Sequence, residues 1–297
     1  MHNDGIEPPY PVQIVSLIPE FLTRRRVKFT FPLRVMEELG IDRPAFAFVV
    51  GGVALQPDEG AHLSDIFNPY PTMFDQWIAA AAMARGAGLA DEVGGRWRVT
   101  PQGRELTARV RREADAYLAT LAPIPEGDIT RLAALLARAQ AAIEASDVPH
   151  DHIARTARLV GDGRIPMVAL ENALVGLWHA RDDCHMSSWR AIGFEGPTFD
   201  VLTRIWRKEA TAEDELRQKL AQQRPEDTTA SLAALRSDGF VKGDALEVTD
   251  RGKSVRQAVE DETDRRFFAP WPADVAEHAG WIHGRLAAIN TALAPAS

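Results

Sequence analysis

The chain has 297 residues, 45% hydrophobic and 26% charged, with a net charge of −8 and one cysteine, Cys184. That length suits two domains, and that composition excludes a disordered or fibrous chain. A lone cysteine excludes an intramolecular disulfide and points to a reducing compartment, and the acidic balance argues against non-specific nucleic-acid binding. The first ten residues carry Asp4, Glu7 and two prolines with no apolar stretch behind a basic start, so no secretory signal is expected. No apolar run reaches the roughly 18 residues of a membrane span, so no membrane partner and a cytoplasmic location are expected.

In chain order, Pro19–Leu39 shows helical spacing, divided or kinked at Pro32 and stopped by Gly40. Ala45–Ala54 is apolar and broken by Pro57–Gly60. A helix over Thr72–Arg85 ends at Gly86 or Gly88. Leu89–Thr100 reads as a hairpin about Gly94-Gly95, with Trp97 and Val99 alternating with Arg96 and Arg98. Thr100-Pro101 is an N-cap followed by proline, opening a helix to about Leu121. After a linker at Ala122–Gly127 come helices at Asp128–Ala145 and Met167–Ala191. Shorter helices are expected at Thr198–Lys208, Ala212–Gln222 and Glu226–Asp238. A hairpin at Phe240–Val248, a helix at Asp250–Phe268 and a last helix from Ala273 to Leu293 complete the chain.

The chain resembles itself. Val99–Asp115 aligns without gaps on Val248–Asp264, with identities at Val99/Val248, Thr100/Thr249, Gly103/Gly252, Val110/Val259, Glu113/Glu262 and Asp115/Asp264. Each copy runs helix, glycine, strand, turn, strand, threonine cap, helix. The third helix, the hairpin and the V-T-x-x-G-[RK] segment after it resemble the MarR-type winged helix. More broadly, Trp97–Arg104, Arg181–Trp189, Leu246–Arg251 and Thr263–Trp271 resemble bacterial tandem winged-helix proteins. The resemblance implies a mainly α (α+β) fold with two winged-helix domains joined by a helical segment, a single-chain pseudo-dimer. The expected limits are 1–121 and 197–269 for the winged helices, 122–196 for the linker and 270–297 for a closing helix.

A winged helix reads DNA with Arg, Lys, Asn or Gln on its third helix. The second candidate begins Arg224-Pro225-Glu226-Asp227 and has no further basic residue before Arg236; the first offers Asp75, Gln76 and Trp77 and then alanines. Neither is a typical reader. The basic residues expected to touch DNA lie elsewhere, at Arg24, Arg25 and Arg26 and on the hairpin at Arg96 and Arg98; a solvated helix face is the plainer reading of the arginine run.

A second candidate site lies in the long central helix. Glu171, Val175, Trp178, Asp182, His185 and Trp189 form one stripe, apolar at first and ionisable later. Asp182 sits three residues before His185 and Arg181 four before it, close enough to orient an imidazole. Trp178, Arg181, Asp182, His185 and Trp189 are the expected ligand-binding set, between the domains, and His185, Asp182, Asp183 and Arg181 the catalytic candidates. The competing reading is a structural network of ion pairs. His179, Asp183 and His185 do not share a face, so no metal is expected, and no motif points to a cofactor. Two functions follow: a ligand-responsive regulator that binds double-stranded DNA, or a scaffold that has lost DNA and binds or converts a small molecule.

Overall fold

The structure is a computed structural model that describes residues 10–66, 74–151, 160–221 and 223–295. It is mainly helical. The elements are α1 (Leu17–Arg24), α2 (Phe31–Leu39), α3 (Arg43–Ala47), α4 (Leu63–Ile66), α5 (Phe74–Gly86), β1 (Ala90–Val93), β2 (Arg96–Val99), α6 (Pro101–Ala119) and α7 (Glu126–Glu144). After these come α8 (Pro166–Ala191), α9 (Gly196–Trp206), α10 (Glu213–Lys219), α11 (Pro225–Ser237), β3 (Val241–Lys242), β4 (Glu247–Val248), α12 (Asp250–Phe268), α13 (Ala273–Glu277) and α14 (Ala279–Ala292). Thr72, Met73 and the proline-rich 68–71 lie outside the described residues. No helix among the described residues is long and apolar enough to cross a membrane.

The expected helix over Pro19–Leu39 is two helices, and Pro32 stands in the first turn of α2, where its missing N–H costs nothing. The final helix is likewise broken, at His278 between α13 and α14. The apolar stretch after α3 continues as a π turn at Phe48–Gly52 and a 3-10 turn at Val53–Leu55.

Contacts divide the chain into two compact units interleaved along the sequence. The first comprises Met1–Leu33, Ala108–Cys184 and Thr263–Ser297. Its core is helix against helix: Ile18 and Phe21 of α1, Leu132 and Leu136 of α7, Leu170 and Leu174 of α8, and Ile282 and Leu286 of α14, all buried. Burying such side chains contributes about 1.5–3 kcal/mol each. The second unit comprises Arg34–Thr107 and His185–Glu262 and holds both hairpins.

Each hairpin closes by the same local chemistry. The helix before it ends on a glycine in the left-handed region, Gly88 (φ 71°) and Gly239 (φ 72°). The next N–H returns to the helix, Leu89 to the Ala84 carbonyl and Phe240 to the Leu235 carbonyl, both at 2.9 Å. The strands pair antiparallel, Ala90 opposite Val99 and Val241 opposite Val248. The threonine hydroxyl then bonds twice. Thr100 donates to the Gly88 carbonyl (2.7 Å) and accepts from the Gly103 N–H (3.0 Å). Thr249 donates to the Gly239 carbonyl (2.7 Å) and accepts from the Gly252 N–H (3.1 Å). An upstream residue meets the return arm of each hairpin: Ala61 exchanges both bonds with Trp97 of β2, and the Leu246 N–H, just before β4, donates to the Thr211 carbonyl at 2.9 Å. The order helix, pairing residue, helix, helix, hairpin, helix therefore occurs in both segments.

Candidate functional site

The arginine run makes ion pairs and hydrogen bonds within the first unit. Arg25 Nε and Arg26 Nη2 (2.6 Å) both engage the Glu171 carboxylate, whose side chain is 8% exposed. Arg24 pairs with Glu20 at 2.9 Å and donates to the Asn290 carbonyl at 2.7 Å. Burial pulls the Arg25 guanidinium below its usual pKa, and Glu171 opposes that. Glu171 thus engages both guanidinium groups, with Arg25 mostly buried and Arg26 still partly open to solvent. α1 ends at Arg24, and the segment that follows reaches α8 at Glu171, which is buried one turn before Val175.

On the first hairpin, Trp97 faces inward at 8% exposure and meets Phe48 edge-on, with ring centroids 5.4 Å apart. Arg96 and Arg98 take the other face. Arg96 donates to the Gly60 carbonyl (2.6 Å from Nη2) and Arg98 to the Glu59 carbonyl (3.0 Å). Their guanidinium groups tie the 57–60 turn to the strand, while Arg98 stays exposed.

The central cluster is brought onto one helix, as its spacing predicts, but its members divide. Trp178, Arg181 and Asp182 belong to the first unit, and His185 and Trp189 to the second. Trp178 is half-buried against the first core. Arg181 pairs with Asp264 at 3.1 Å, the side chains 15% and 20% exposed. Asp182 is half-buried and Asp183 buried. The His185 ring stands edge-on to Phe199 (5.4 Å), and Trp189 stacks on the same ring (6.0 Å). Burial pushes the Cys184 thiol up to about 12, so it stays protonated and is a poor nucleophile.

Sequence reasoning missed Arg256. It is 1% exposed, lies over the Phe199 and Trp206 rings (5.0 and 4.8 Å), donates to Thr203 Oγ1 (3.1 Å) and pairs with Glu260 (2.5 Å). The signal was available: Gly252, Arg256 and Val259 share a helical stripe on which arginine is the odd member.

The start of α11 is also built from polar groups. Asp200 accepts from Arg204 and Gln223 (both 3.2 Å), and Thr228 donates to Gln223 Oε1 at 3.3 Å. Burial raises the Asp200 pKa, against the pull of Arg204. This network fixes the turn before Arg224. The outward face of α11 carries Glu226, Thr229, Ala230 and Ala233. Arg236 is turned back onto Glu213 (2.8 Å) and the Gly243 carbonyl (3.0 Å). The outward face of α5 is apolar, with Ile78 48% and Met83 39% exposed.

The described residues are mainly helical and include two capped helix–hairpin–helix segments. Residues 163–297 match a family described as "Helix-turn-helix family", which covers the second segment together with α8, α13 and α14. No curated protein and no solved structure matches the chain.

Proposed function

We propose that the chain is a DNA-binding transcription regulator made of two winged-helix units in tandem, one within residues 1–121 and one within 197–269. Residues 122–196 and 270–297 supply the helical frame, and a small molecule sets the response. The observation that carries the reading is the agreement of the two hairpin joints in their left-handed glycines, their helix-returning bonds and their paired threonine caps. The helix-turn-helix match over 163–297 supports DNA as the partner.

In this reading α11 enters the major groove. Its small outward side chains allow close approach, and the phosphates are met by Arg224 at its start and Lys242 on the hairpin. Lys242 lies 3.4 Å from Glu247 with both side chains more than half exposed, so that pair costs little to open. The set from Trp178 to Trp189 keeps ligand binding as a proposal, beside the ion-pair and ring contacts that support a structural role.

A scaffold without DNA is the second reading. Glu226 and Asp227 in the first turn of α11 favour it, since they repel phosphate, as does the apolar outward face of α5.

Fluorescence anisotropy with the double-stranded DNA upstream of the protein's own gene separates the two. The regulator reading expects tight binding at about 50 mM salt that weakens steeply as salt rises. Replacing Arg224 and Lys242 with alanine should reduce the salt slope by about 2. Absence of binding at low salt, or binding indifferent to salt, selects the scaffold.

A further inference from the structure

Beside the first hairpin the second unit holds an open cavity of about 800 Å3. Its walls are the outward face of α5 (Ile78, Ala82), the start of α4 (Leu63) and Trp97 of β2. The volume lies within the range of small-molecule sites, about 300–1,000 Å3. Its lining is mostly apolar and includes one residue of each charge, Arg85 and Glu92, 3.9 Å apart. Those charges offset each other, so the site has no net preference for an ion. One polar group is well defined. His62 Nδ1 lies 2.9 Å from the Gly95 carbonyl, which can only accept, so Nδ1 carries the proton. With Nδ1 so engaged, Nε2 is the ring's acceptor in the uncharged tautomer.

We propose that this cavity binds an uncharged, largely apolar small molecule with a ring system and one N–H or O–H donor, which His62 receives. The outward face of α5 then serves a ligand where that of α11 serves DNA, so the two hairpin segments divide the work. The site does not depend on the DNA reading, because its occupancy is measured without DNA. Ile78, 48% exposed, lies on the face of α5 that lines the cavity.

The test uses N-phenyl-1-naphthylamine, a neutral fluorescent diarylamine with one N–H, titrated into the full chain. Its emission should rise and saturate at one probe per chain. Ala82→Trp fills the cavity and should abolish the rise, with the far-ultraviolet circular dichroism and melting unchanged. His62→Phe keeps the ring volume, removes the acceptor and should weaken binding about tenfold. If Ala82→Trp fails to fold, Ile78→Glu places a charge on the same wall, at an exposed position, and should abolish the rise. No saturable emission, or saturation unaltered by both wall variants, overturns the site; an unchanged affinity in His62→Phe overturns the donor assignment.

Discussion

Replacing Glu171 with alanine should lower the unfolding free energy by about 3 kcal/mol, read from urea denaturation. Glu171 is the counter-charge for two guanidinium groups, Arg25 at 16% and Arg26 at 32% side-chain exposure. Without it two like charges stay side by side, and Arg26 already disfavours the charged form of the mostly buried Arg25. Removing one partner of a buried pair costs about 3–5 kcal/mol, and the lower end applies because Arg26 reaches solvent. Arg26→Gln leaves Arg25 and Glu171 paired and should cost about 1 kcal/mol. A loss below about 1 kcal/mol for Glu171→Ala would show an ordinary surface pair.

The second large effect concerns glycines. Gly103→Ala and Gly252→Ala should each cost more than about 2 kcal/mol in thermal or urea melts. A methyl at Gly103 falls on the Leu89 carbonyl oxygen and lies 2.7 Å from Val99 Cγ2. At Gly252 it falls on the Phe240 carbonyl oxygen and lies 2.7 Å from Val248 Cγ1. The obstacle is backbone in both cases, so the helix must move off the residue that leads into the hairpin. The same substitution at Gly284 in α14 meets nothing within 4 Å and should stabilise by about 0.5–1 kcal/mol through helix propensity. Opposite signs for one chemical change would attribute the loss to the joint and not to alanine. Equal losses at Gly103 and Gly252 would strengthen the tandem reading.

These glycines also mark how far the sequence could be read. Gly103 and Gly252 stand at matching places in the self-alignment, and the threonine caps, the glycine ends of α5 and α11 and both hairpins follow from local rules. Element boundaries fell within a few residues because caps, prolines and glycines act on their neighbours. The tie from Arg25 and Arg26 to Glu171 spans about 145 positions, and no local pattern reports a contact so distant. The interleaving of the two units is hidden for the same reason. Composition gave the apolar character of α5, but not the cavity beside it, which needs α4 and β2 brought against that helix. Arg256 was legible in principle, as a charged residue on a buried stripe. Asp200 was not, because its partner Gln223 lies beyond a whole intervening helix.

The regulator reading lays α11 on DNA. Ala230 is exposed on the outward face of that helix, one turn from its start, so an added group there points away from the core. Replacing Ala230 with photoreactive p-benzoylphenylalanine and irradiating the protein with the duplex upstream of its gene tests the claim directly. The account predicts a covalent protein–DNA product that disappears when salt dissociates the complex. DNA retained by the protein with no product from position 230 would contradict it.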